Sequence, residues 1–474
     1  MNPADNADFG LLSPASAGTA ASRLTSDYQF IQAMLDVELE WVRVLAAAGY
    51  VDAGLIPAVE AASTAEQYDA ASLAERAQGG GNPVIALLGD LRARVKESSP
   101  AAAAAIHKGA TSQDILDSAL LLMASRTLEV ILADLKSAAA ALAGLAETHR
   151  GTVTVARTLT QHSLPSTFGL KAANWLSGVG QAGVQLSEVA GRLPLQWGGA
   201  AGTMAALTAV AVKGAQNNTA NNDGGALALA AQLAERLGLA DPVAPWQTNR
   251  LPVTALAAAL ADVLAAAGKV ANDVLLLSRP EFGELSEPRA EGRGVSSAMP
   301  QKQNPVLSVL IRSAALAAPG HLAQVQAAAA GAIDERPDGS WHLEWQALRQ
   351  LLRLAGGAAA KLAELSAGLV VHADRMQENL AITGPLVVSE KIMATVAPLL
   401  DDGVPGTGKP KVQALVNESL SGGTPFAQLL RGAVPEDKLS DADLQALLDP
   451  AGYLGQSDEL ITRIIEHFSD WSQA

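Results

Sequence analysis

One stretch of this chain, from Ser112 to Thr148, narrows the possible folds more than any other. Its apolar residues recur at helical spacing, and neither Gly nor Pro interrupts it before Gly144. A helix of that length far exceeds the ~11-residue mean and needs neighbours of similar length to cover its apolar face. They are present: residues 164–195, 203–238, 250–279, 305–330 and 340–372 also read as largely helical, with a kink or break expected at Pro319-Gly320. Several such helices predict a bundle, about 45 Å long for a 30-residue member. Ala and Leu dominate these windows and aromatics make up only 4% of the chain, so close packing on small side chains is expected.

A chain of 474 residues exceeds what one core organises. At the front, Thr25, Ser26 and Asp27 are N-cap types ahead of Ile31, Met34, Leu35, Leu39, Val42 and Leu45, and Gly79–Gly81 breaks the pattern before Asn82 and Pro83. At the back, the turn-rich DDGVPGTGKP at 401–410 precedes shorter helices. The expected fold is all-α with three helical domains: 1–110, a central long-helix bundle over 111–372, and 373–474. Within the turn-rich segment, GVPGTGK at 403–409 imitates the start of a phosphate-binding loop. Pro410 stands where Ser or Thr would be required and no strand pattern precedes it, so it reads as a linker.

Charge and composition remove several functions. The net charge of -15 argues against nucleic-acid binding, which needs a basic face. It leaves room for a small anion held by a local cluster of Arg and Lys. The absence of cysteine excludes disulfides, thiolate metal sites and thiol catalysis. His149, His321, His342, His372 and His467 are scattered without metal-like spacing, so neither a metal nor an organic cofactor is expected. The acidic N-terminus MNPADNADFG lacks a signal-peptide pattern. The best membrane-span candidate, Leu251 to Gly268, is short and interrupted by Asp262. A cytoplasmic protein without a membrane partner is expected.

Three polar, Gly-bearing segments sit between the helices: 107–114, 155–169 and 281–304. The third contains VSSAMPQKQNP, in which Ser296 and Ser297 precede Lys302, and Asn304 and Pro305 form a helix start. Free N–H groups at a helix end beside an ammonium suit a carboxylate or an oxyanion. By spacing alone, the segment equally fits a Ser-rich surface loop that caps a helix.

GVSSAMPQKQNP resembles the signature of the fumarase/aspartase superfamily, Gly-Ser-Ser-x-Met-Pro-x-Lys-x-Asn-Pro. Ser296, Ser297, Met299, Pro300, Lys302, Asn304 and Pro305 match its fixed positions, and Val295 departs where Gly is usual. HKGATSQD at 107–114 and RTLTQHSLPSTFG at 157–169 resemble the other two regions of that superfamily, in the same order. GNPV at 81–84, LQWGGAAGT at 195–203, PWQTNR at 245–250 and the WHLEW of 341–345 are similar to its carboxymuconate cycloisomerase branch.

The resemblance implies a cofactor-free homotetramer with each active site shared between three subunits. It implies reversible lactonisation of 3-carboxy-cis,cis-muconate, a small tricarboxylate, to 4-carboxymuconolactone in protocatechuate breakdown. Ser296 would move the proton at carbon, with Lys302 and Asn304 holding substrate carboxylates beside Ser297 and Met299. Lys302 and the helix start would stabilise the Ser296 alkoxide. Thr111, Ser112, Thr158 and Gln161 would donate hydrogen bonds, and His107 would orient the substrate. Arg157, Arg250, Arg289 and Arg293 are candidates for pairing with the trianion. His162 reads either as an acid/base or as a buried orienting residue.

Leu159 carries a separate argument. Many lyases of the superfamily have Arg-Thr-His where this chain has Arg157-Thr158-Leu159, and that His is the general acid. Leu carries no proton. A carboxylate, with a pKa near about 4, departs at neutral pH without one, whereas an amine does not. Leu159 thus weighs against the competing reading, an adenylosuccinate lyase-like carbon–nitrogen lyase. Ser296, Lys302 and Asn304 weigh against a non-catalytic structural oligomer.

Overall fold

The computed structural model describes residues 8–216 and 225–473. The chain is predominantly helical, and its long helices fall where the periodicity places them: Ser112–Thr148, Leu251–Leu277, Val306–Ala330 and Gly339–Gly368. Residues 217–224, the middle of the segment read as helical over 203–238, lie outside the described residues, as does most of the N-terminal MNPADNADFG. Two expectations need correction. Val306–Ala330 runs on through Pro319 without ending there. The helix read over 164–195 begins only at Phe168, because Val153–Thr158 (β1) and Gln161–Thr167 (β2) form an antiparallel hairpin ahead of it. The β-branched run VTVARTLT carries that strand signal.

Leu251–Leu277, Val306–Ala330 and the helical segments over 373–400 are long and apolar enough to cross a membrane by length and composition. This differs from the sequence reading, which took Asp262 as an interruption. Half of the apolar window in Leu251–Leu277 is buried inside the fold.

The chain forms two compact units, each assembled from three separated stretches. The first comprises 1–136, 181–268 and 309–362; the second comprises 137–180, 269–308 and 363–474. In the first unit, Ser26 caps the helix Asp27–Ala47 by accepting from the Gln29 N–H. Trp41 of that helix is fully buried, lies 4.7 Å from Trp197 between ring centroids, and donates its indole N–H to the Lys108 carbonyl at 2.9 Å. That bond fixes the backbone of the first polar segment from below. Gly357 lies against the chain at Ala15 so closely that a Cβ would overlap the Ala15 carbonyl.

In the second unit, Val155 of β1 joins a core of Val387, Val388, Ile392, Val396, Phe426 and Leu430 supplied by the short C-terminal helices. The pairing is irregular between Val155 and Arg157, which sets Arg157 opposite His162 and Thr158 opposite Gln161. Leu159 and Thr160 then form a two-residue turn, with φ of 48° and 71°. Positive φ at both positions matches the right-handed strand twist, but it strains a Leu and a Thr where Asn-Gly would be relaxed.

Candidate active site

The first polar segment is anchored by a residue that sequence reasoning passed over. Asp114 is wholly buried and accepts hydrogen bonds from the backbone N–H groups of Thr111 (2.9 Å), Gly198 (2.7 Å) and Gly199 (3.0 Å). Burial nonetheless pushes its pKa up to about 6. Thr111 receives a further bond on its hydroxyl from Arg336 at 3.1 Å. His107, at a positive φ of 63°, contacts the Glu38 carboxylate through Nδ1 at 2.7 Å. Ser112 begins the long helix and is half-buried.

Arg250 does not stand where a substrate could reach it. It is 2% exposed, doubly bonded to Asp117 at 2.7 and 3.0 Å, paired with Glu344, bonded to the Gln247 carbonyl, and laid over the Trp246 ring. The guanidinium has spent its donors on the protein, which corrects its assignment as a substrate contact. The segments that resemble the cycloisomerase branch interlock here. Gln247 donates to the Gly199 carbonyl, Arg250 of PWQTNR holds Glu344 of WHLEW, and His342 contacts the Gly81 carbonyl of GNPV at 2.6 Å. The first two of these contacts are buried and the third lies at the surface.

Glu344 has its pKa raised to about 7 by burial, and the nearby Asp117 carboxylate raises it further. The folded chain therefore holds this proton more tightly than the unfolded chain. Stability from it is present below the unfolded value and is lost as pH rises through about 7. The expected result is a melting temperature that falls as pH rises from about 4.5 to about 7 and levels off above that. Glu344→Gln should flatten that fall, as differential scanning fluorimetry across a pH series would show.

In the second unit, Arg157 reaches down from β1 to Glu284, at 2.5 and 3.3 Å, and stacks on Phe282. Glu284 is fully buried and also accepts from Asn379 at 2.7 Å. Arg157 thus ties the hairpin, near its tip, to the start of the third polar segment. His162 contacts the Thr383 hydroxyl through Nδ1 at 2.8 Å. Burial and then the facing Arg157 lower its pKa, which favours the neutral imidazole. Thr158, Leu159, Thr160 and Gln161 are all exposed, Leu159 by 96%.

The signature loop closes on itself. Val295 bridges Gln303, and the Gly294 carbonyl accepts from both the backbone N–H and the side-chain amide of Asn304, at 2.8 and 3.1 Å. Gly294, with φ of 70°, permits this: a Cβ there would lie 2.5 Å from the Asn304 carbonyl oxygen. Asn304 therefore is not the helix cap expected of it. Glu287 fills that role, accepting from the N–H groups of Leu307 (3.0 Å) and Ser308 (2.7 Å). A carboxylate outcompetes a neutral amide at a positive helix end. The first helical N–H groups are thus taken, and the Ser296 hydroxyl is supported otherwise: its Oγ accepts from the backbone N–H of Met299 at 3.1 Å and of Ala298 at 3.4 Å. Hydrogen bonds of this kind favour an anionic oxygen. Lys302, Ser297 and Met299 are exposed on the same loop. Arg293 pairs with Glu364, and Arg289 is exposed nearby in sequence. Among the described residues, no hydrogen bond or ion pair joins Ser296 to the hairpin tip.

The phosphate-loop look-alike is closed by its own chain: Asp401 accepts from the N–H groups of Gly408 at 2.7 Å and Gly406 at 3.2 Å.

A family model described as lyase matches residues 22–320, a span that holds all three polar segments. The chain belongs to the lyase family of the fumarase/aspartase superfamily. It is an enzyme of that superfamily. It is 44% identical to a nitrosuccinate lyase of Streptomyces davaonensis, over 97% of this chain and 94% of the relative. It is 39% identical to a 3-carboxy-cis,cis-muconate cycloisomerase of Pseudomonas aeruginosa, over 93% of each. The crystal structure of 3-carboxy-cis,cis-muconate lactonizing enzyme from Pseudomonas putida superposes with a TM-score of 0.88 at 33% identity, covering 98% of this chain and 100% of that one. The family's three regions were legible in the sequence. Asp114, Glu284 and Glu287 were not singled out there, because their roles are set by backbone amides and an arginine distant along the chain.

Proposed function

We propose that this lyase-family enzyme interconverts 3-carboxy-cis,cis-muconate and 4-carboxymuconolactone. In the lactonising direction a substrate carboxylate adds to the conjugated double bond, and Ser296 delivers a proton to the carbon alpha to another carboxylate. In reverse, the Ser296 alkoxide removes that proton, giving a doubly negative aci-carboxylate, and the ring carboxylate departs. Amides aimed at Ser296 Oγ support its alkoxide, and Lys302 lies on the same loop for a substrate carboxylate. His162 contributes a neutral imidazole. The observation that carries the reading is Leu159 where many lyases of the superfamily place the general acid: a group that departs as a stable anion needs none there.

That argument admits a second reading, favoured by the 44% identity to a nitrosuccinate lyase. Nitrite is also a weak base and leaves unprotonated, so Leu159 separates both readings from amine-releasing lyases but not from each other. The two are told apart by substrate. Loss of the ultraviolet absorbance of carboxymuconate supports lactonisation. Release of nitrite from nitrosuccinate without such bleaching supports the second reading, and turnover of adenylosuccinate alone refutes both.

The oligomeric part of the reading rests on exposure. A strained Leu-Thr turn open to solvent, on a segment that carries Thr158 and Gln161, is explained if a second copy covers it. The site is then completed by three chains of a homotetramer. Leu159→His is expected to leave turnover unchanged or lower; a large gain, read in the same absorbance assay, contradicts the leaving-group argument.

A further inference from the structure

Beside the hairpin, within the second unit, lies a cavity of about 340 Å³ that the proposed reaction does not use. Val155 and Ala156 of β1 and Leu170 and Trp175 of the helix Phe168–Ala190 give it an apolar wall. Its polar lining is rich in donors that lack acceptors. Thr154 is 2% exposed, and its hydroxyl has no hydrogen-bond partner. The Nε of Arg157 is buried and unpartnered, although the two terminal nitrogens hold Glu284. Lys171 forms no hydrogen bond or ion pair among the described residues. The one carboxylate on the lining, Asp273, is already engaged by the Trp175 indole at 2.7 Å and Lys269 at 2.5 Å.

Buried donors left unsatisfied cost free energy that an acceptor recovers. The charges around the cavity are Arg157, Lys171 and Lys269 against Asp273 and Glu284, so one negative charge is missing from neutrality. We propose that this cavity is a binding site for a small aliphatic carboxylate, with its oxygens between Lys171, Arg157 Nε and the Thr154 hydroxyl and its carbon chain against Leu170 and Val155. The site is separate in its residues from the Ser296 loop. Desolvation lowers the pKa of Lys171, and the nearby Lys269 and Arg157 add to that against Asp273 and Glu284. A bound carboxylate would favour the ammonium form and mask the amine.

Reductive methylation followed by mass spectrometry reads each lysine separately in the intact protein. With succinate as the probe and sodium chloride at matched ionic strength as the control, methylation of Lys171 should slow several-fold. Lys269, at the mouth and 65% exposed along its side chain, should change little. Protection at Lys302 reports the signature loop and is scored apart from this site. Thr154→Val, which keeps the shape of the strand residue, should raise the half-protecting succinate concentration about tenfold. Equal Lys171 rates in succinate and chloride would show a cavity that holds only water and would overturn the proposal. Protection unchanged in Thr154→Val would overturn the assigned seat of the carboxylate.

Discussion

Ser296→Ala is expected to lower kcat by about 10²–10⁴-fold, the usual contribution of a positioned proton-transfer group. The hydroxyl is half-exposed, and its partners are the backbone N–H groups of Ala298 and Met299. Water replaces it at those amides, so folding and assembly should be untouched. The measurement is single-wavelength bleaching of carboxymuconate, with size-exclusion chromatography as the control for assembly. Ser297→Ala should be milder, since no hydrogen bond among the described residues aims at that hydroxyl. Near wild-type turnover in Ser296→Ala, with assembly intact, would remove Ser296 as the proton carrier.

Arg250→Met should destabilise the first unit by about 3–5 kcal/mol, as expected when one partner of a buried ion pair is removed. The methionine fills the volume but leaves Asp117 and Glu344 facing each other without the guanidinium, both fully buried at the side chain. Asp117 keeps bonds from Trp341 at 2.8 Å and Gln113 at 3.1 Å, while among the described residues Glu344 is hydrogen-bonded by the arginine alone. The loss should be read from the midpoint of denaturant unfolding. The triple replacement Arg250→Met, Asp117→Asn, Glu344→Leu should recover much of it, because no unpaired charge remains. Were Arg250 instead a substrate contact, Arg250→Met would raise KM and leave the unfolding midpoint in place.

The behaviour of Arg250 shows where sequence reading reached its limit. PWQTNR and WHLEW were visible as markers of one branch of the superfamily, yet nothing in either segment says that Arg250 and Glu344 satisfy each other 94 residues apart. An arginine in a motif looks the same whether it faces a ligand or a carboxylate of its own chain. Asn304 failed in a related way. Its type and its place before Pro305 predict a cap, but Glu287 reaches the same amides with a full charge. The hairpin was hidden by the helical stretch after it, although VTVART carried the strand signal.

Local rules were enough for the long helices. Helical periodicity, the Ser26 cap and the freedom from Gly and Pro over most of Ser112–Thr148 act within a few residues of themselves. The signature loop was legible for the same reason, since its chemistry is written in adjacent residues. Only the tertiary structure decided which donors remain free for a ligand. That depends on acceptors brought in from elsewhere in the chain, and a buried polar group will take whichever partner the fold puts within reach.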